Sequence, residues 1–189
     1  KITFYIVSFS HKISDDYFAR AANVIPGGIY GHVAPVAGLP MDFPKYVQEA
    51  SGRRFIDVDG NEWIDFMCGF GAILHGYSNP EIDNFANEQR KKGGVFNQPS
   101  PVMVELAESL TSKIDFANWA VFAKNGSDVT TAAIRLARAV TGKERIATCG
   151  YHGWHDWYIG STTRNLGVPQ NEIKLTSKFD YNDISSLEK

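Results

Sequence analysis

Cysteine is scarce in this chain: two among 189 residues, Cys68 and Cys149. They lie far apart and without metal-like spacing, which argues against a disulfide scaffold and leaves a reduced pair in a cytoplasmic protein as the expectation. Charge of one sign is missing too. Lys and Arg number 19 against 21 Asp and Glu, a net charge of −2, so nothing broad draws the chain to nucleic acid or to an anionic membrane. No apolar run is long enough to span a bilayer. The apolar start, Lys1 to Phe9, is too short, and Ser10-His11-Lys12 is a poor cleavage region for an export signal. The two common glycine-rich nucleotide loops are also absent: there is no Gly-Lys-Ser/Thr ending and no three-glycine dinucleotide spacing. Internal repeats and low-complexity segments are lacking.

What is present reads as an ordinary globular composition, 43% hydrophobic and 21% charged. Aromatics are scattered, which suits core and pocket roles. A helix is expected from Asp15 to Val24, with Tyr17, Phe18, Ala21 and Val24 on one face, ending at the breaker Ile25-Pro26-Gly27-Gly28. Tyr46–Ala50 and Arg53–Val58 flank a turn at Ser51-Gly52. Asp59-Gly60-Asn61 leads into Glu62–Phe66, giving an antiparallel meander. Asn79-Pro80 and Ser100-Pro101 each place a cap and a first-turn proline before a helix. The second of these carries Met103, Leu106, Ala107, Leu110 and Ile114 on its apolar face.

Trp119–Ala123 then reads as a short buried strand. The next helix turns Ala132, Ala133, Leu136, Ala137 and Val140 inward, and Arg145–Cys149 is the following strand. Strand, helix, strand at this spacing implies a βαβ unit and a parallel sheet, hence an α/β fold. Glu172–Leu175 is a further strand candidate. A last helix begins near Asn182.

Chemistry concentrates in two segments. Lys124-Asn125-Gly126-Ser127-Asp128 is a turn that opens a helix. Free backbone N–H groups, the Ser127 hydroxyl and the Asn125 amide would face an anion there, although the same residues can act simply as a helix cap. Tyr151-His152-Gly153-Trp154 follows a strand end, where open parallel sheets bind ligands. The Tyr151 ring could cover a planar cofactor or be one more buried aromatic beside Trp154, Trp157 and Tyr158. His152 and His155 have a spacing compatible with a metal pair, but no third ligand accompanies them, so no metal is expected.

In chain order, Ile25-Pro26-Gly27-Gly28, Val58-Asp59-Gly60-Asn61-Glu62-Trp63-Ile64-Asp65, Gly76-Tyr77-Ser78-Asn79-Pro80, Lys124–Asp128, Ile134-Arg135-Leu136-Ala137-Arg138 and Tyr151-His152-Gly153 resemble the class III pyridoxal-phosphate aminotransferases, in particular the glutamate-1-semialdehyde aminomutase branch. The resemblance runs from about Ser14 onward and matches the N-terminal part of that family.

It implies a fold-type I enzyme: an uncertain extension over residues 1–13, a small α/β region with hairpins over 14–75, and from 76 to 189 the start of a large domain around a mostly parallel sheet. It also implies a homodimer that binds pyridoxal 5'-phosphate and handles a small-molecule amino donor and carbonyl acceptor, with no nucleic acid or membrane partner. By the same resemblance Asn125, Gly126 and Ser127 form the phosphate cup. Tyr151 stacks on the cofactor ring with His152 beside it, and Phe70 lines the substrate pocket.

Two departures from the family pattern matter. An arginine that receives the substrate carboxylate in the aminomutase branch is replaced by Ala34, after Tyr30, Gly31 and His32. That leaves His32 as the substrate-side candidate and makes glutamate-1-semialdehyde a poor fit, since a neutral pocket cannot hold a carboxylate as an arginine fork does. A weaker similarity to aminomutase-like proteins of surface-sugar biosynthesis suits a keto-sugar or another polar carbonyl. The second departure concerns the Schiff-base lysine: Lys174, Lys178 and Lys189 lack its context, so no catalytic residue is assigned. The alternatives are an aminomutase, or a non-catalytic fragment with exposed sheet edges and poor solubility.

Overall fold

Hydrogen bonding around one aspartate organises the start of the fold. In a computed structural model that describes residues 9–29 and 43–188, Asp57 is 1% exposed. Its Oδ1 accepts from the N–H groups of Asp59 (3.0 Å) and Asn61 (2.8 Å). Its Oδ2 accepts from the Asn61 amide and the Trp63 indole, both at 2.8 Å. A carboxylate with four donors fixes the turn, because burying it unpaired would be costly. The turn joins β2 (Arg54–Asp57) to β3 (Glu62–Ile64), paired antiparallel with Phe55 opposite Trp63. On the other side β2 pairs with β1 (Val47–Ser51), with an irregularity between Val47 and Glu49. Ser51 faces Arg54, so the hairpin turn is Gly52-Arg53, one residue later than the sequence suggests. Gly52 takes the positive φ (+54°) and also bridges to Tyr77.

Helix α1 spans Lys12–Ala21, three residues earlier than its periodicity predicts, and Val24 lies outside it at 79% exposure. The cause is a cap supplied from afar. Asp59 accepts from the N–H groups of Ile13 (2.7 Å) and Ser14 (2.9 Å) and from the Ser10 hydroxyl (3.3 Å). Desolvation pushes its carboxyl pKa up, but these bonds outweigh it and hold the group below the ordinary carboxylate range. Helix α2 (Pro80–Lys91) begins as its sequence implies: the Asn79 side chain accepts from the N–H groups of Glu81 and Ile82.

The chain divides into two compact units, one ending at Asn97 and the other beginning at Gln98. In the second, α3 (Pro101–Lys113) and α4 (Gly126–Thr141) precede β4 (Ile146–Thr148). Short helices α5 (Asp156–Ile159) and α6 (Gln170–Ile173) lead to β5 (Thr176–Lys178), and α7 (Ile184–Leu187) follows. β4 and β5 pair in parallel, Ile146 opposite Thr176, which is the parallel pairing the α/β reading requires.

Three local expectations are corrected here. Trp119–Ala123 forms no strand: it pairs with nothing among the described residues, and Trp119 and Val121 are 74% and 70% exposed. The parallel crossover therefore runs from β4 through α5 and α6 to β5, with α4 outside it. Glu172–Leu175 is not a strand, because Pro169 starts a helical turn whose carbonyl accepts from the N–H groups of Glu172 and Ile173. Finally, the apolar side of α4 is open: Leu136 is 58% and Val140 78% exposed. Its covered side is the line Ser127, Thr131, Ile134, Arg138. Met103, Leu106 and Leu110 of α3 are exposed as well.

Candidate cofactor-binding site

The N-terminus of α4 is built as the sequence implies. Asn125 is the N-cap and extended (φ −124°, ψ 156°). Its carbonyl accepts from the N–H groups of Asp128 and Val129. The N–H groups of Gly126 and Ser127 meet no backbone carbonyl among the described residues, the normal condition of a helix's first turn. The Asp128 carboxylate reaches back, and its Oδ2 accepts from both the backbone N–H and the side-chain amide of Asn125, each at 3.2 Å. One amide proton of Asn125 is therefore committed to Asp128.

The segment after β4 wraps this turn. Ser127, 8% exposed, accepts on Oγ from the N–H of Trp154 at 3.2 Å. That bond occupies a lone pair and leaves the hydroxyl proton available to an anion. Gly153 makes the approach possible: its φ is +109°, and a Cβ there would lie 2.4 Å from Ser127 Oγ. The Thr130 hydroxyl donates to the carbonyls of Ser127 (3.1 Å) and His152 (3.0 Å). Thr131 Oγ1 lies 2.8 Å from His155 Nδ1 and accepts from the Trp157 indole at 2.9 Å. Ser127 and His152, singled out from sequence in two separate motifs, are thus joined through Thr130, with Gly153 packed against Ser127 and with Asn125 and Gly126 immediately before it in the same turn.

Tyr151 is 69% exposed and meets Tyr158 edge-on, with ring centroids 5.6 Å apart at 84°. Tyr158 is itself fixed: it is buried, and its hydroxyl donates to the Gly150 carbonyl at 2.7 Å. The Tyr151 ring thus stands on a rigid support. The His152 ring stacks near Trp157, and its Nε2 lies 2.8 Å from the Cys149 carbonyl. The hydrogen bonds of His152 and His155 run to different partners. Thr130 and Thr131 were not legible as site residues. The only signal was a pair of threonines in the first turns of a helix whose start had already been marked.

Phe70 belongs to the first unit. It is 74% exposed and sits in a short turn, Cys68–Gly71, in which Cys68, Gly69, Phe70 and Gly71 all have positive φ. For Cys68 and Phe70 this backbone is unfavourable, and such strain clusters at functional sites. Asp65 holds the turn: Oδ1 accepts from the N–H groups of Met67 (2.7 Å) and Cys68 (3.1 Å), and Oδ2 from the Tyr77 hydroxyl (2.9 Å). Desolvation acts to raise the Asp65 pKa, but these three donors win and lower it. Burial, then the adjacent Asp65 carboxylate, push the Tyr77 phenol above its usual value. His32, with Tyr30, Gly31 and Ala34, lies outside the described residues.

The family model described as Aminotransferase class-III matches residues 39–184. The chain is 40% identical over 171 residues to a 3-aminobutyryl-CoA aminotransferase of Cloacimonas acidaminovorans, covering 90% of this chain and 41% of that protein. It is 33% identical over 192 residues to a glutamate-1-semialdehyde 2,1-aminomutase of Desulforamulus reducens, covering 95% and 44%. Among solved structures, a PLP form of the FumI protein of Sphingopyxis sp. MTA144 matches with a TM-score of 0.83 at 40% identity, covering 92% of this chain and 42% of that one. The chain spans about two fifths of the length of the relatives it matches.

Proposed function

The chain belongs to the class-III aminotransferase family and has the fold of the fold-type I transaminases, and from that premise we propose that the protein carrying it is a pyridoxal-phosphate-dependent aminotransferase. The observation that carries this reading is the Ser127 hydroxyl. It is buried, it is held from one side by the Trp154 N–H, and its proton is left beside the open first turn of α4. That donor set fits a phosphate. Gly126 and Ser127 would bind it through their N–H groups and the Ser127 hydroxyl, and Asn125 through its second amide proton. Tyr151, supported by Tyr158, would cover the cofactor ring, with His152 alongside. When bound, the cofactor supplies the electron sink for moving an amino group between carbons. The residues of this chain bind and orient it, and no lysine here is assigned to its carbonyl. Lys178 is placed over the Tyr158 ring, 5.8 Å from its centroid.

For the substrate side we propose a small polar aldehyde or ketone with no carboxylate beside the carbonyl, a keto-sugar among them. By the family resemblance Phe70 and His32 are the substrate-side residues, His32 lying two positions before Ala34, which replaces the arginine of the aminomutase branch in sequence. For amino transfer over isomerisation, the support is that the aminotransferase relative is the more similar of the two at 40% identity, against 33% for the aminomutase. The active protein is proposed to be a cytoplasmic homodimer, with two free thiols, Cys68 and Cys149. No helix among the described residues is long and apolar enough to cross a membrane. Turnover assays on the whole protein test the reaction type. Amino transfer that requires a separate donor is expected. Isomerisation of a single amino-aldehyde without any donor would make the protein an aminomutase instead.

A further inference from the structure

His155 belongs to neither the phosphate cup nor the ring contact, yet it sits between the elements that form both. The Trp157 indole is 7% exposed, and its N–H donates to Thr131 Oγ1. Thr131 Oγ1 keeps its proton and a second lone pair, and giving that proton to His155 Nδ1, 2.8 Å away, is one of the two hydrogen bonds open to the pair. An Nδ1 that accepts leaves the ring proton of neutral imidazole on Nε2. Nε2 faces Asp128 Oδ1 at 3.8 Å, beyond a hydrogen bond but within reach of a charge–dipole attraction. The other oxygen of the same carboxylate holds Asn125 by two hydrogen bonds. The path Trp157, Thr131, His155, Asp128, Asn125 is hydrogen-bonded at every step except His155 to Asp128, where the 3.8 Å approach is electrostatic, and it ends on the N-cap of the helix whose first turn would form the cup.

We propose that His155 is a positioning residue for the cofactor phosphate: by fixing Thr131 and the Asp128 carboxylate it holds Asn125 and the first turn of α4 in the pose that accepts the anion. This rests on the cofactor reading given above. It also explains why Thr131 and Trp157, which offer nothing to a ligand directly, are satisfied by each other and by this ring.

The test is a fluorescence titration of the apo form of the whole protein with pyridoxal 5'-phosphate and, separately, with pyridoxal, which lacks the phosphate. In His155→Leu the dissociation constant for the phosphorylated form should rise about tenfold, the size of one lost hydrogen bond. Pyridoxal should bind as in the wild type. His155→Asn, which keeps an acceptor near the Nδ1 position, should recover most of the loss. Equal affinity in His155→Leu would overturn the proposal. So would an equal loss for both ligands, because that signals general loosening. Should His155→Leu fail to fold, Thr131→Val against Thr131→Ser poses the same question, with loss expected only in the first. A wild-type protein that binds neither ligand would sink the cofactor reading itself. Wild-type binding with an unaffected His155→Leu would sink only the positioning role.

Discussion

Asp57 is the residue on which the first unit most depends. Its four donors all come from the next six positions, and the carboxylate is sealed from water. Asp57→Asn keeps the shape but sets an amide N–H₂ against two donors, either the N–H groups of Asp59 and Asn61 or the Asn61 amide and the Trp63 indole. About 2 kcal/mol of stability should be lost, and about 3 kcal/mol in Asp57→Ala, where the donors lose their acceptor altogether. Denaturant unfolding of each variant measures this, and an unchanged midpoint would contradict it. In the second unit Gly153 carries a comparable constraint, because its positive φ and the contact with Ser127 Oγ exclude any side chain. Gly153→Ala should displace the Ser127 hydroxyl and weaken cofactor retention more than it lowers the melting temperature. Cofactor content after dialysis, set beside the melting curve, checks both.

Among the elements, the turn Cys68–Gly71 is held in a left-handed backbone by Asp65 and Tyr77, and the tie has a pH signature. The folded pKa of Asp65 is depressed, so its contribution is present above the ordinary carboxylate range and fades as pH falls through the folded value. That of Tyr77 is raised, so its contribution is present below the ordinary phenol pKa and fades as pH rises through the folded value. The melting-temperature difference between wild type and Tyr77→Phe should be flat from about pH 5 to 9 and shrink at both ends. A difference that stayed constant at both extremes would contradict the tie.

Sequence and structure agree at this scale where the determinants are local. Asn79-Pro80 starts α2, and Asn125-Gly126 starts α4, because a cap and its first turn lie within a few residues. Disagreement arises where the determinant is distant. Asp59 caps α1 across more than forty positions, which no local pattern contains. Trp119–Ala123 has the composition of a strand, but a strand requires a partner and none is present among the described residues. Helix α4 has an apolar face in sequence, whereas its buried line is set by the loop that crosses it, through Ser127, Thr130 and Thr131. The site follows the same division. Both motifs were legible, but their juxtaposition through Gly153 and the linkage through His155 were not.

For the molecule as a whole, the apolar sides of α3 and α4 are uncovered among the described residues, while the buried apolar side chains are few: Ala21, Ile29, Trp157 and Tyr158. Surfaces of that kind mark contact faces or aggregation-prone ones. Expressed as these 189 residues alone, the chain should associate at micromolar concentration. Light scattering that showed a stable monomer would contradict this. The residues assigned to the proposed phosphate cup and to its positioning, by contrast, all lie within one unit, between Asn125 and Tyr158.

The central claim, that the first turn of α4 holds the cofactor phosphate, is tested most directly by Ser127→Ala in the whole protein, titrated with pyridoxal 5'-phosphate and with pyridoxal. Loss of the hydroxyl donor should weaken the phosphorylated ligand by about tenfold or more and leave pyridoxal unchanged. The same affinity for pyridoxal 5'-phosphate in wild type and Ser127→Ala would contradict the account.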